Sequence, residues 1–221
     1  MGGRVLSPRA GARRNGIQRR RSIAAIALFS IGLVSPAAPA QTAEAPQWKV
    51  GYKWTFQSVS GLPPVTGTWQ REVIESLPDG KFTVQMENGN KLTFDGETNS
   101  LDSRGPEYSW KRFDFPLRLG KEWTHERKLD AYGRETATWK VRAYESVTVP
   151  AGTFDCFRVD GVVWQTRNYM MYAPTTSHED YTYWYCPEVK WVARWKGHRR
   201  AYSGAPYVDS ESVLTSFVGD R

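Results

Sequence analysis

The chain has 221 residues, 14% of them aromatic, with 30 Lys+Arg against 23 Asp+Glu and a formal net charge of +7. Seven of the arginines (Arg4, Arg9, Arg13, Arg14, Arg19, Arg20, Arg21) lie in residues 1–40, which hold no acid, so 30 less these seven leaves 23 against 23 in the remainder. A formally neutral remainder lacks the cation excess that a nucleic-acid binder sets against phosphate, and no nucleic-acid partner is expected.

Along the chain, the basic stretch is followed by an uncharged apolar run of 12 residues, 23–34, and then by Ala38-Pro39-Ala40. The run fits a signal core of about 7–15 residues and falls short of the ~20 needed to span a bilayer. Residues 1–40 therefore read as a signal peptide cleaved near Ala40. The expected product is periplasmic or secreted and has no integral membrane span. No Cys lies near the cut, which argues against a lipid anchor; the choice between general and twin-arginine export stays open. Residues 41–49 are expected as a flexible lead-in, and 50–221 as a single antiparallel β domain.

The body alternates. Tyr52, Trp54 and Phe56 are interleaved with Lys53, Thr55 and Gln57; Phe82, Val84 and Met86 follow the same rule, as do Trp139, Val141 and Ala143. Period two places one set on a core face and the other in water. Strands are expected at 52–59, 66–76, 81–87, 90–95, 121–129, 134–148, 153–166, 180–186, 189–196 and 208–217. Turn signals separate them at 77–80 (LPDG), 87–90 (ENGN), 94–97 (FDGE), 130–133 (DAYG) and 149–152 (VPAG). The least regular segment, 99–118, is expected as a crossing loop. Sequential strands joined by tight turns form a meander, and long antiparallel strands curl. The fold class is all-β, a single curved antiparallel sheet forming a half-barrel or open β-barrel.

At FPLRLGKEW (115–123), VTVPAGTFDCFRV (147–159) and TYWYCPEVKWVAR (182–194), the chain resembles a broad group of exported bacterial proteins of unknown function, some grouped as TapB-like. The resemblance covers about residues 50–197. It implies a curved antiparallel sheet similar to the half-barrel of lipoprotein carrier proteins. It implies no activity and no functional residues.

Chemistry-bearing residues are few. Cys156 and Cys186 fall in predicted strands, and in an exported chain they are expected to pair, with two buried free thiols as the alternative. His125, His178 and His198 sit in no metal-ligand pattern, so no metal and no cofactor is expected. The basic cluster Lys196, His198, Arg199 and Arg200 reads as a solvated face. Hydrolase and phosphate-loop motifs are missing, which weighs against an enzyme; an unrecognised carboxylate site is the enzymatic alternative. The aromatics remain. Tyr181, Tyr183, Trp184, Trp191 and Trp195 are the candidate ligand-binding residues, although aromatics also serve simply to fill a thin β core. The leading expectation is an exported soluble protein binding an apolar or amphipathic ligand, such as a lipid or part of a peptide, on a concave aromatic-lined sheet. The alternative is a carbohydrate or cell-wall binding module.

Overall fold

Alternation becomes a sheet because each run can bury one face and wet the other. The structure, a computed structural model, describes residues 41–168, 173–200 and 207–220. The expected signal peptide, 1–40, lies outside the described residues. The strands in chain order are β1 (Thr42–Ala43), β2 (Lys53–Ser60), β3 (Val65–Leu77), β4 (Lys81–Met86), β5 (Lys91–Phe94), β6 (Ser100–Leu101), β7 (Leu117–Arg118), β8 (Glu122–Lys128), β9 (Gly133–Val149), β10 (Gly152–Arg167), β11 (Thr175–Cys186), β12 (Trp191–Arg200) and β13 (Tyr207–Val218). The main sheet has eleven strands in the order β6-β5-β4-β3-β2-β13-β12-β11-β10-β9-β8, all antiparallel and not closed into a barrel. Two meanders thus meet where β2 pairs with β13. The free edges, β6 and β8, are nearly consecutive in the chain.

The sheet curls strongly. Four strands lie between β5 and β12, which would hold them about 24 Å apart in a flat sheet at ~4.8 Å per step. Yet the rings of Phe94 on β5 and Trp191 on β12 have centroids 6.1 Å apart. The concave side is therefore the core. Trp54, Phe56, Trp139 and Trp191 are buried there, and Trp48 packs at 5.2 Å from both Trp54 and Trp191. Two indoles are tied to the β11–β12 turn: Trp48 Nε1 donates to Lys190 O at 2.9 Å and Trp54 Nε1 to Val189 O at 2.7 Å.

The irregular segment expected to cross does so. It leaves the β6 edge through a bridge between Ser100 and Trp110. It reaches the β8 side, where Ser109 O meets His125 Nε2 at 2.8 Å and Arg104 Nη1 donates to Leu129 O at 3.0 Å. The Trp110 ring lies 6.1 Å from that of Trp139 on β9. Side chains and loop backbone thus span the gap between the edges, and covering an exposed edge blocks pairing with other chains.

Three expectations need adjustment. Residues 41–49, read as a flexible lead-in, are described with partners: Thr42–Ala43 pairs with Leu117–Arg118, and Trp48 is buried. An apolar ring this large anchors a segment that its polar neighbours would leave free. β11 begins at Thr175, not at 180, and β12 runs to Arg200, past the expected end at 196. Long β10 supplies ladder partners up to Arg167↔Thr175, so pairing overrides the loop-like polarity of 178–180. The cysteines are bonded as expected: Cys156 and Cys186 lie one step beyond the Phe157–Tyr185 pair, with Cα atoms 4.2 Å apart.

Candidate functional site

Four of the five aromatics singled out in the sequence line one cavity of about 390 Å³ on the concave face. Tyr181 and Tyr183 reach it from β11, and Trp191 and Trp195 from β12. Tyr183 and Trp195 are directly paired across these strands. Tyr181 has a glycine opposite it on both neighbouring strands, Gly161 on β10 and Gly197 on β12. Space for the rings depends on them: a Cβ on Gly161 would lie 2.0 Å from the Trp139 ring, and one on Gly197 would lie 3.2 Å from that of Tyr181. The fifth aromatic, Trp184, lies on the other face. Its Nε1 donates to Glu145 Oε1 at 2.7 Å, and Arg194 stacks on it with Cζ 5.2 Å from the ring.

Trp69 and Met86 complete the apolar wall from β3 and β4. The remaining polar contributors are Arg71 on β3 and Arg112 on the crossing segment. Arg71 occupies an inward position between Trp69 and buried Val73, where alternation would place an apolar residue. Its guanidinium carbon lies 5.0 Å from the Trp69 ring and 4.7 Å from that of Trp191. Arg112 Cζ lies 4.8 Å from the Tyr183 ring and 5.8 Å from that of Trp191. Both cations therefore lie against the same indole at the cavity floor. Arg112 is set there by buried Asn99, whose Oδ1 accepts from the backbone N–H of Arg112 and of Phe113, each at 2.8 Å, while its Nδ2 donates to Phe113 O at 3.0 Å.

The electrostatics are unusual. Arg71 Nε and Nη1 and Arg112 Nε are buried without a hydrogen-bond partner. Burial, and secondarily the like charge of Arg112, lower the Arg71 pKa to about 9, still charged at neutral pH. Burial raises the pKa of both cavity phenols, so Tyr181 and Tyr183 stay neutral donors; Arg112 partly offsets this at Tyr183 through its charge and a hydrogen bond. The nearby buried carboxylate, Glu179, is already engaged: Arg199 Nε lies 2.9 Å from its Oε1 and the Tyr181 hydroxyl donates to its Oε2.

The expected basic cluster is not a free patch. Arg199 pairs with Glu179, Lys196 faces Glu211 at 3.9 Å, and His198 meets Asp209. His178 stacks on Trp164 with centroids 4.5 Å apart. Among the described residues, no group of three His, Cys, Asp or Glu is placed to hold a metal ion. A larger cavity of about 550 Å³ lies by Leu62, Thr182 and His198. It is lined by residues near the end of β12 and the start of β13; the segment between them, 201–206, lies outside the described residues, and no site is assigned there.

Several solved structures are similar to this chain. A candidate lipoprotein from Parabacteroides distasonis ATCC 8503 is 18% identical with a TM-score of 0.44, over 80% of this chain and 100% of its own. A candidate exported protein with YmcC-like fold from Bacteroides fragilis NCTC 9343 is 13% identical with a TM-score of 0.44, over 81% and 100%. The hypothetical lipoprotein YmcC from Escherichia coli (K12) is 10% identical with a TM-score of 0.41, over 76% and 85%. No protein-family model matches the chain, and no curated protein matches it significantly.

Proposed function

We propose that this is an exported, non-enzymatic binding protein. Its concave cavity takes the apolar part of an amphipathic molecule. The observation that carries the reading is the convergence of Tyr181, Tyr183, Trp191 and Trp195 with Trp69 and Met86 on one cavity of about 390 Å³. That volume falls within the ~300–1,000 Å³ of small-molecule sites, which are mostly apolar with a few placed polar groups. Rings that wall a cavity, unlike a flat exposed row, favour an acyl or similar apolar group over a sugar. Export is supported by the leader pattern of residues 1–40, with cleavage near Ala40, and by the Cys156–Cys186 bond, since disulfides persist in oxidising compartments. Among the described residues no helix is long and apolar enough to cross a membrane.

The test uses a neutral fluorescent amphiphile, N-phenyl-1-naphthylamine. Saturable enhancement with the mature protein, weakened in Trp195→Ala, is the expected result. Absence of saturable enhancement would remove the cavity from consideration as a binding site.

A further inference from the structure

We propose that the ligand of this cavity carries an anionic head, a carboxylate or a phosphate monoester, held between the guanidiniums of Arg71 and Arg112. The inference rests on the reading of the cavity as an amphiphile site and adds the chemistry of the head. Its basis is a mismatch between charge and partners. The two cations lie against one indole, 4.7 and 5.8 Å from the Trp191 ring, and neither forms an ion pair among the described residues. Stacking on Trp69, Trp191 and Tyr183 satisfies the faces of the guanidiniums. It leaves part of their N–H edges unanswered: Arg71 Nε, Arg71 Nη1 and Arg112 Nε have no acceptor. Buried donors are normally paired, and a charged one without a partner is costly.

Among the described residues, no carboxylate pairs with either arginine. Glu179, the buried acid on the same face of β11 as Tyr181 and Tyr183, is held by Arg199 and the Tyr181 hydroxyl. Two adjacent like charges also repel each other, so an anion placed between them relieves two penalties at once. A planar guanidinium fork matches the oxygen pairs of carboxylate and phosphate. The neutral phenol of Tyr183 provides a further donor beside Arg112. A ligand with its head on this floor would run its apolar part along Trp69, Tyr181 and Trp195 toward the cavity mouth.

The experiment is displacement of N-phenyl-1-naphthylamine by dodecanoate, dodecyl phosphate and dodecanol, each below its micelle-forming concentration. The expected result is that at least one anion displaces the probe at a concentration about tenfold or more below that of dodecanol, roughly the worth of one charge-assisted hydrogen bond. Which anion acts more strongly tells the carboxylate source from the phosphate source. In Arg71→Met and Arg112→Met, the anion-to-alcohol ratio should fall toward one, whatever the absolute affinity for the probe. Arg71→Lys, which keeps the charge but loses the fork, should fall between. Thermal unfolding confirms that each variant is folded. Probe binding with equal displacement by anions and alcohol in the wild type would overturn the anionic head and leave the cavity reading standing. Failure of the wild type to bind the probe would remove both.

Discussion

Two of the charged sites on the concave face are treated in opposite ways. On β9, Glu135 is 2% exposed and fully answered: Arg127 grips both carboxylate oxygens, at 2.8 and 3.1 Å, and Gln165 Nε2 donates to Oε2 at 2.9 Å. Arg127 is itself stacked on Trp110 at 4.2 Å, which fastens the β8–β9 hairpin to the crossing segment. On β3, Arg71 has aromatic faces around it and no acceptor for Nε or Nη1. The first arrangement is complete without any other molecule, so its role is structural. The second leaves donors that an anion from outside would answer. Burial alone does not separate structural from functional charge; the state of the hydrogen-bonding edges does.

Breaking the satisfied site should have the largest effect. Glu135→Ala leaves half-buried Arg127 beside Trp110 and the amide of Gln165 without their carboxylate; losing one partner of a fully buried pair costs about 3–5 kcal/mol, and the partial exposure of Arg127 puts this variant toward the lower figure. Urea unfolding of the oxidised protein measures it. A loss under about 1 kcal/mol would erase the contrast between the two sites. The aromatics offer a parallel comparison. Trp54 is wholly buried, with its indole N–H on Val189 O, and Trp54→Ala should cost about 3–5 kcal/mol. Trp195 is half-buried on the cavity wall with fewer atoms against it, so Trp195→Ala should cost less than half as much while weakening amphiphile binding. Equal losses would make Trp195 ordinary core.

The disulfide effect is of similar or slightly smaller size. Cys156 and Cys186 are separated by 30 residues, and closing such a loop contributes roughly 3–4 kcal/mol in the chain-entropy model. Cys156→Ser should lose about that amount relative to the oxidised wild type and nothing relative to the reduced one. A loss that persists against the reduced protein would point to packing at Cys156 instead.

The strands were legible because alternation and turn residues agree along most of the chain. Phe82-Val84-Met86 and Trp139-Val141 are inward as their period demands. The early start of β11 was hidden because Glu179 is acidic, and only Arg199 and Tyr181, brought by pairing, make its burial tolerable. Four cavity aromatics were visible as a cluster of rings in β11 and β12. Arg71 left a signal, a cation at an inward step between Trp69 and Val73. Arg112 left none: it sits in the irregular segment, and its position depends on Asn99 and on a curvature that brings β5 within reach of β12.

The smallest expected change in stability belongs to Arg71→Met, and it is the sharpest test of the opening comparison. Removing this cation forfeits stacking on Trp69 and Trp191, worth about 0.5–2 kcal/mol per contact according to burial. Against that, it ends the desolvation of an unpaired guanidinium and its repulsion by Arg112, and methionine fills irregular apolar space well. Replacing buried charge by apolar side chains of similar volume is often neutral or stabilising. The two sides nearly cancel, so the ligand-free variant should unfold within about 1 kcal/mol of wild type, in contrast to Glu135→Ala. Adding a bound anion then separates the proteins: at a concentration 100 times its Kd, a ligand raises stability by about 2.7 kcal/mol, and only the chain that retains Arg71 should gain the full amount. A ligand-free loss of several kcal/mol in Arg71→Met would mean that the aromatic stack alone is the purpose of the arginine, and the two buried sites would then be alike.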